Sequence, residues 1–351
     1  MLSLRDREWG EFQLSSVFSI QSTSSSIDKI KLVSGDGNYP YITRTDRNNG
    51  VESYVCEQPD YKIDLGNCIT VGLDTQTAFY QPTEFYTGQN IQILRNEKLN
   101  SRNAKFILPL LKNLLTIFNW GSSGATLTRL RRSKILLPLG NDDAPDWQFM
   151  AQYVCERELL QFEEYAIHAN KILAEIGDIE SVLPPKEKGW KPFMLSDIFD
   201  IRAGKRLTRA DMKTGTRPFI GATDANNGIT AFVSNNSNSM DSNVLGVNYN
   251  GSVVETFYHP YECIFSDDVK RFKLKDMEIN KFIYLFLKTI IVQQKKKYAY
   301  GYKFNEQRMK KQFLLLPVDD IEKPDWGYME QYAKLIIRQQ LTAYLRLKDK
   351  M

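Results

Sequence analysis

Histidine is nearly absent. The 351 residues hold two, His168 and His259, in unlike contexts, so neither a histidine-based catalytic pair nor a histidine metal site is expected. The four cysteines, Cys56, Cys68, Cys155 and Cys263, include no C-x-x-C pair. That spacing argues against a zinc ribbon or a disulfide framework and for buried free thiols. No run of 18 apolar residues occurs, so no membrane-spanning helix is expected. The charged start MLSLRDREWG is unlike a signal peptide, and a cytoplasmic location is expected. No G-x-x-x-x-G-K-[ST] phosphate loop is found, and no G-x-G-x-x-G follows a strand. Asn248-Tyr249-Asn250-Gly251 approaches a base-methylating tetrapeptide but lacks its prolines and reads as a turn. No carboxylate pair recurs in a way that would hold a catalytic metal. The expectation is a non-catalytic protein without metal or cofactor.

Charge is scarce as a net quantity and uneven in distribution. The chain carries 46 Lys and Arg against 42 Asp and Glu, a net of +4. Residues 1–180 hold 18 basic and 23 acidic groups, and the remaining 28 and 19 reverse the sign. Local basic surfaces on an otherwise balanced protein fit this pattern better than a polycation does.

What the sequence does contain is itself, twice. WGEFQLSSVFSI at residues 9–20 returns as WKPFMLSDIFDI at 190–201. YPYITRTDRNNGV (39–51) meets RPFIGATDANNGI (217–229), and FYQP (79–82) meets FYHP (257–260). ILLPL (135–139) meets LLLPV (314–318), and PDWQFMAQY (145–153) meets PDWGYMEQY (324–332). Five blocks in one order, at offsets of 178 to 181, establish a tandem duplication.

Each copy reads as a compact mixed β region, rich in β-branched and aromatic residues and punctuated by Asn-Gly and Gly-Asn turns. An apolar helical run follows, at 105–118 and 280–293. A long helix then closes the copy. Asp146 reads as an N-cap, and from there to residue 180 the helical pattern holds no Gly or Pro except Gly177. Cys155, Leu159, Phe162, Ala166, Ala169, Leu173 and Ile176 step by four and three, a heptad seam. About 30 residues make a rod of roughly 45 Å, with Pro184-Pro185 expected to stop it. The second rod is expected from Asp325 to the C-terminus, about 25 residues or roughly 37 Å. Its packing positions include Ile336, Leu341 and Leu345. The fold expected is α+β: two tandem mixed α/β domains at 1–144 and 184–323, followed by long helices at 145–183 and 324–351. The helices are expected to pair as an antiparallel coiled coil through Leu159, Phe162, Ala166, Leu173, Ile176 and their second-copy partners.

Cations concentrate at matching places. Residues 122–134 carry Arg129, Arg131, Arg132 and Lys134 among hydroxyl side chains. The second copy answers with Lys295, Lys296, Lys297, Tyr302, Lys303 and Arg308, followed by Lys310 and Lys311. Lys205, Arg206 and Arg209 form a further basic loop where the first copy has only Gln and Ser/Thr-rich sequence. Arg44 and Arg47 flank Asp46, where the second copy has Ala222 and Ala225 around Asp224. Cations beside planar and amide groups suit phosphate contact with base contact between. Framework retained and loops diverged is what two readers of different sequences need.

The chain resembles the specificity subunits of type I and type IIB restriction–modification systems. The residues that carry the resemblance are the openings W-x-x-F-x-L at Trp9 and Trp190, the blocks from Asp46 to Gly50 and from Asp224 to Gly228, Ser123-Gly124-Ala125-Thr126 leading to Leu136-Leu137-Pro138, its partner Leu315-Leu316-Pro317, and the long helices. The starts Pro145-Asp146-Trp147 and Pro324-Asp325-Trp326 tilt the resemblance toward the type IIB branch. It implies two target-recognition domains, each reading half of a bipartite double-stranded DNA target. It also implies helices that set the gap and dock methyltransferase or fused methyltransferase–nuclease subunits. The rival expectation is a tandem carbohydrate- or protein-binding β-module with a coiled-coil oligomerisation arm.

Overall fold

The computed structural model describes residues 1–72, 74–118, 126–179, 181–275, 280–298 and 302–347. Two compact units, residues 1–165 and 166–351, divide the chain. The boundary falls inside the first long helix, Trp147–Ile176.

In the first unit Trp9–Gln13 pairs antiparallel with Lys134–Pro138, Trp9 opposite Pro138 and Phe12 opposite Ile135. A four-stranded antiparallel sheet has the order Ser19–Ser22, Ile91–Arg95, Cys68–Gly72, Thr77–Gln81. Tyr39–Ile42 lies between Val51–Val55 and Tyr86–Thr87 in a smaller sheet. The helix Ser101–Leu115 covers the larger sheet and buries Ile107, Leu111 and Leu115. It starts earlier than the apolar run alone indicates because Asn100 and Asn103 form a reciprocal capping box.

The second unit repeats this. Trp190–Met194 pairs with Phe313–Pro317, Trp190 opposite Pro317. Phe199–Ala203, Val269–Leu274, Val244–Asn248 and Thr256–His259 form the four-stranded sheet in the same order. Thr214–Ile220 lies between Ile229–Val233 and Cys263–Phe265, the latter also pairing with Met240–Asp241. Lys281–Val292 covers the sheet, capped by Asn280.

The aromatic residues shared by the copies make the same frame in each. Trp9 donates to the Leu4 carbonyl at 2.9 Å and stacks on Phe106, which meets Tyr153 edge-on. Trp190 donates to the Pro185 carbonyl at 2.8 Å and stacks on Phe286, which meets Tyr332 edge-on. Each such ring pair adds about 1 kcal/mol beyond its buried area. The frame ties the opening strand, the sheet-covering helix and the base of the long helix together.

The Asn-Asn-Gly turns are more demanding than two-residue hairpin turns. Asn48, Asn49 and Gly50 are all left-handed (φ 48°, 57° and 79°), as are Asn226, Asn227 and Gly228 (50°, 53° and 78°). A Cβ on Gly50 would stand 3.2 Å from the Phe79 ring, and one on Gly228 3.3 Å from the Phe257 ring. Asparagine tolerates this conformation because its short amide finds local partners; Asn49 donates to the Tyr80 carbonyl at 2.9 Å and Asn227 to the Tyr261 hydroxyl at 2.9 Å.

The long helices begin as the sequence indicates. Asp146 accepts from the Phe149 amide at 2.8 Å and Asp325 from the Tyr328 amide at 2.9 Å. The first helix ends at Gly177, left-handed at φ 66°, whose amide returns to the Leu173 carbonyl. The prolines at 184 and 185 therefore do not terminate it. The second helix spans Trp326–Leu345, shorter than the rod expected to reach the C-terminus. Phe162, Ala169 and Ile176, seven apart, are buried, and Ala166 and Leu173 are half-buried. Leu159 (41% exposed) and Ile336 (38% exposed) are not packed as the seam requires. Leu341 is buried and Leu345 half-buried. In the second unit Ile172 and Ile176 share one core with Ala333 and Ile337. Cys68 and Cys263 are buried thiols, whereas Cys56 and Cys155 are partly exposed.

Candidate nucleic-acid interface

The basic clusters of both copies sit on one repeated element. In the first unit a short helix, Leu127–Arg132, is capped by Thr126 and anchored by fully buried Leu130. In the second, Glu306–Lys311 is capped by Asn305 and anchored by fully buried Met309. With the anchors superposed, Arg129, Arg131 and Arg132 match Arg308, Lys310 and Lys311. In each, one fully buried apolar residue points inward and three cations ride on the remaining faces of a six-residue helix.

Their environments differ. Arg131 spends its guanidinium on the Ile20 carbonyl, at 2.6 and 3.2 Å, and so holds the helix to the sheet. Arg132 is exposed, as is Arg129. Lys134 bonds Glu11 at 2.7 Å across the two-stranded ribbon, and that carboxylate raises the lysine's pKa. In the second unit Arg308 lies 3.7 Å from the centre of the Tyr302 ring and donates to the Lys303 carbonyl at 2.6 Å. Tyr302 stacks on Tyr298 while staying about half exposed. Glu306 accepts from Lys310 and Lys270, and these ammonium groups hold its carboxyl below the usual range against the opposing effect of burial. Lys295 is bonded to Glu255, and Lys296 and Lys297 are exposed on the turn Gln293–Lys297. The Ser123-Gly124-Ala125 motif and Tyr300-Gly301 lie outside the described residues.

The loop after the first strand of the larger sheet separates the copies most. In the second unit Gly204 is held so close to the Ser266 carbonyl that a Cβ would stand 1.9 Å from its oxygen, and Lys205 donates its amide to the Phe265 carbonyl. This leaves Lys205, Arg206 and Arg209 exposed, with Asp267 4.0 Å from Arg206. Arg44 is bonded to Asp74, and Arg47 is exposed at the lip of the Asn-Asn-Gly turn. Sequence reasoning brought these cations together by proximity along the chain; the structure divides them between cations held by internal carboxylates or carbonyls and cations left at the surface.

Among the described residues no group of three His, Cys, Asp or Glu gathers as a metal site, and no helix is long and apolar enough to cross a membrane. His259 is fully buried; burial, with the Lys288 ammonium adding to it, pushes its pKa down to about 4.

The chain thus carries two tandem copies of one mixed domain, each presenting cations on a capped six-residue helix. The chain belongs to the type I restriction modification DNA specificity domain family, whose profile matches twice, at residues 6–166 and 187–345. Both copies are therefore restriction–modification specificity domains. The chain is 42% identical over 328 residues to the type II restriction enzyme BgcI specificity subunit S.BcgI of Heyndrickxia coagulans, covering 93% of each chain. Its fold is similar to that of the type I restriction–modification S subunit of M. genitalium, with a TM-score of 0.60 at 15% identity, over 98% of this chain and 93% of that one. A match to the HsdS subunit of Thermoanaerobacter tengcongensis has a TM-score of 0.34 at 16% identity, over 96% and 91% of the two chains.

Proposed function

We propose that each module reads one half of a bipartite double-stranded DNA target, with 1–144 and 184–323 as target-recognition domains. The long helices Trp147–Ile176 and Trp326–Leu345 set the gap between half-sites, pairing antiparallel, and serve as the docking platform for methyltransferase or fused methyltransferase–nuclease subunits. The observation that carries the reading is the repeated six-residue helix with its three cations, flanked by sequences that differ between copies. Repetition supplies phosphate contacts common to both halves; divergence supplies different base contacts. Arg129 and Arg132, with Arg44, Arg47, Arg131 and Lys134 around them, serve the first half-site. Lys205, Arg206, Arg209, Lys295, Lys296, Lys297, Tyr302, Lys303 and Arg308 serve the second, and their number makes its grip the stronger. The relative in a type II enzyme supports the type IIB branch, and a cytoplasmic location follows from the role.

A salt titration of DNA binding tests this. Replacing Lys205, Arg206 and Arg209 together by Ala is expected to weaken target binding and to lower the slope of log affinity against log salt by about 3 or less. Binding indifferent to salt, in the wild type as in the variant, would instead favour a carbohydrate- or protein-binding module.

A further inference from the structure

The helix Glu306–Lys311 carries three cations, and Arg308 is held unlike the other two. A series of rings leads to it from the core. Phe304 is fully buried, and its ring centre lies 4.5 Å from that of Tyr298. The Tyr298 hydroxyl donates to the Gln312 side-chain carbonyl at 2.6 Å, and Gln312 is itself buried. Tyr302 stacks on this pinned ring, the two planes 9° apart, and stays about half exposed. The Arg308 guanidinium lies 3.7 Å from the centre of the Tyr302 ring.

Stacking sets the plane of the guanidinium, and one hydrogen bond sets its rotation within that plane. Nη1 donates to the Lys303 carbonyl at 2.6 Å. Among the described residues no carboxylate pairs with Arg308, and the one acid of the helix, Glu306, is taken by Lys310 and Lys270. The edge made by Nε and Nη2 is left to a ligand. That edge is a rigid fork of two donors. It matches two acceptors side by side, as O6 and N7 of a guanine stand in the major groove. Phosphate oxygens also accept such a fork, but phosphate contact asks for charge more than for a fixed plane. Lys311, exposed on the same helix, supplies that charge without any ring beneath it.

The two copies differ at this place. The first keeps the arginine, as Arg129, but has Ser123 and Ala125 where the second has Tyr302 and Phe304, all at an offset of 179. The cation belongs to what two readers share, and the ring platform to what distinguishes them. We infer that Arg308, positioned by Tyr302, reads a guanine in the half-site of the second module through paired hydrogen bonds to O6 and N7. This rests on the reading that the second module binds DNA through this helix.

The test uses the full chain reconstituted with the catalytic subunit of its own system, whose methylated sites give the wild-type target. Binding is then measured on duplexes carrying each base pair in turn at every position of both half-sites. Arg308→Ala is expected to flatten a guanine preference of about tenfold or more at one position, to spare the others, and to leave the salt slope nearly unchanged. Tyr302→Ala is expected to weaken the same preference, and Tyr302→Phe, which keeps the ring, to retain it. Lys311→Ala is expected to weaken all sequences alike and to lower the salt slope by about 1. A second probe needs no variant: 7-deazaguanine, which lacks the N7 acceptor, is expected at that position to weaken wild-type binding by about fivefold. Uniform weakening by Arg308→Ala with a lower salt slope makes Arg308 a phosphate contact and overturns the inference, while the DNA-binding reading stands. A flattened position that is not guanine, or a wild type indifferent to 7-deazaguanine at every guanine, overturns it too. If neither Arg308→Ala nor Lys311→Ala alters binding, the reading of this helix as a DNA contact itself falls.

Discussion

Where the first module turns its loop after the opening sheet strand inward, the second turns it outward. Ser24 and Ser25 donate to buried Asp64, at 2.8 to 3.2 Å, and Ser25 also meets the Thr87 hydroxyl. The corresponding loop of the second module is held by the Gly204 and Lys205 amides and by Leu207, and leaves three cations in solvent. The space between the two sheets has diverged as well. Gln81 bonds Thr70 and the Asn49 carbonyl in the first module, both at 3.1 Å. The second has His259 facing Gly246, with the Nε2 atom unpartnered. Ile93 in the first gives way to Arg271 in the second, 8% exposed and 3.3 Å from Asp241. The frame that positions the modules' elements is held in common, whereas the polar interior and loops have been rebuilt. A duplicated reader diversifies by keeping the packing that fixes loop ends and changing what the loops present.

Substitutions that exchange one module's solution for the other's sharpen this comparison. The largest effect belongs to the buried ion pair. Asp241→Ala strands Arg271 in the interior and is expected to cost about 3–5 kcal/mol. Adding Arg271→Ile, the first module's solution, recovers most of that in chemical denaturation, while Ile93→Ala in the first module behaves as an ordinary core truncation of about 2–4 kcal/mol.

His259 comes next. Its folded pKa of about 4 lies below the ordinary 6.5, so the unfolded chain takes up the proton first as pH falls. Stability from this group is full above pH 6.5, declines between 6.5 and 4, and levels off below, a loss of up to about 3 kcal/mol. His259→Gln, the residue of the first module, should remove that part of the pH dependence in thermal melts; an unaltered profile would show that the burial of His259 is not what the protein senses.

The turn glycines test what the modules share. Gly50→Ala and Gly228→Ala each force a left-handed alanine toward a phenylalanine ring and should cost about 1–2 kcal/mol, alike in both modules. The smallest effect is at the helix caps, where Asp146→Ala and Asp325→Ala should each cost about 1 kcal/mol. Both aspartates also hold a cation, Arg7 at 2.9 Å and Lys188 at 2.6 Å. Burial alone would raise Asp325, but Lys188 and the Tyr328 amide more than offset it and keep its carboxyl low. Unequal costs at equivalent glycines or caps would mean that the frame is not shared energetically.

The repeat makes most of this architecture legible in the sequence. Trp, Phe, Tyr and Asn-Gly at constant offsets are the residues that build the frame, because each makes a contact few other side chains can make. Pro184-Pro185 stand beyond the end of the first long helix, because Gly177 already supplies the left-handed residue that stops it. Leu159 fits the heptad spacing but is 41% exposed, since periodicity states which residues share a face and not what that face meets. The cations were legible as clusters but not as individuals. Arg131 reaches a backbone carbonyl 111 residues away, and Arg44 reaches Asp74 across a loop, partnerships that no local spacing encodes. Leu285, Ile336 and Ile337 replace Lys105, Arg157 and Glu158 in the repeat alignment, but only the structure shows that the three positions line one surface.

The central claim is that the two modules read DNA independently on a common frame. Exchange of residues 1–144 for those of another member of the family, followed by mapping the methylated sites of the reconstituted complex, tests it most directly. The account predicts that one half-site changes while the other half-site and the gap between them persist; a change in both half-sites, or in neither, would contradict it.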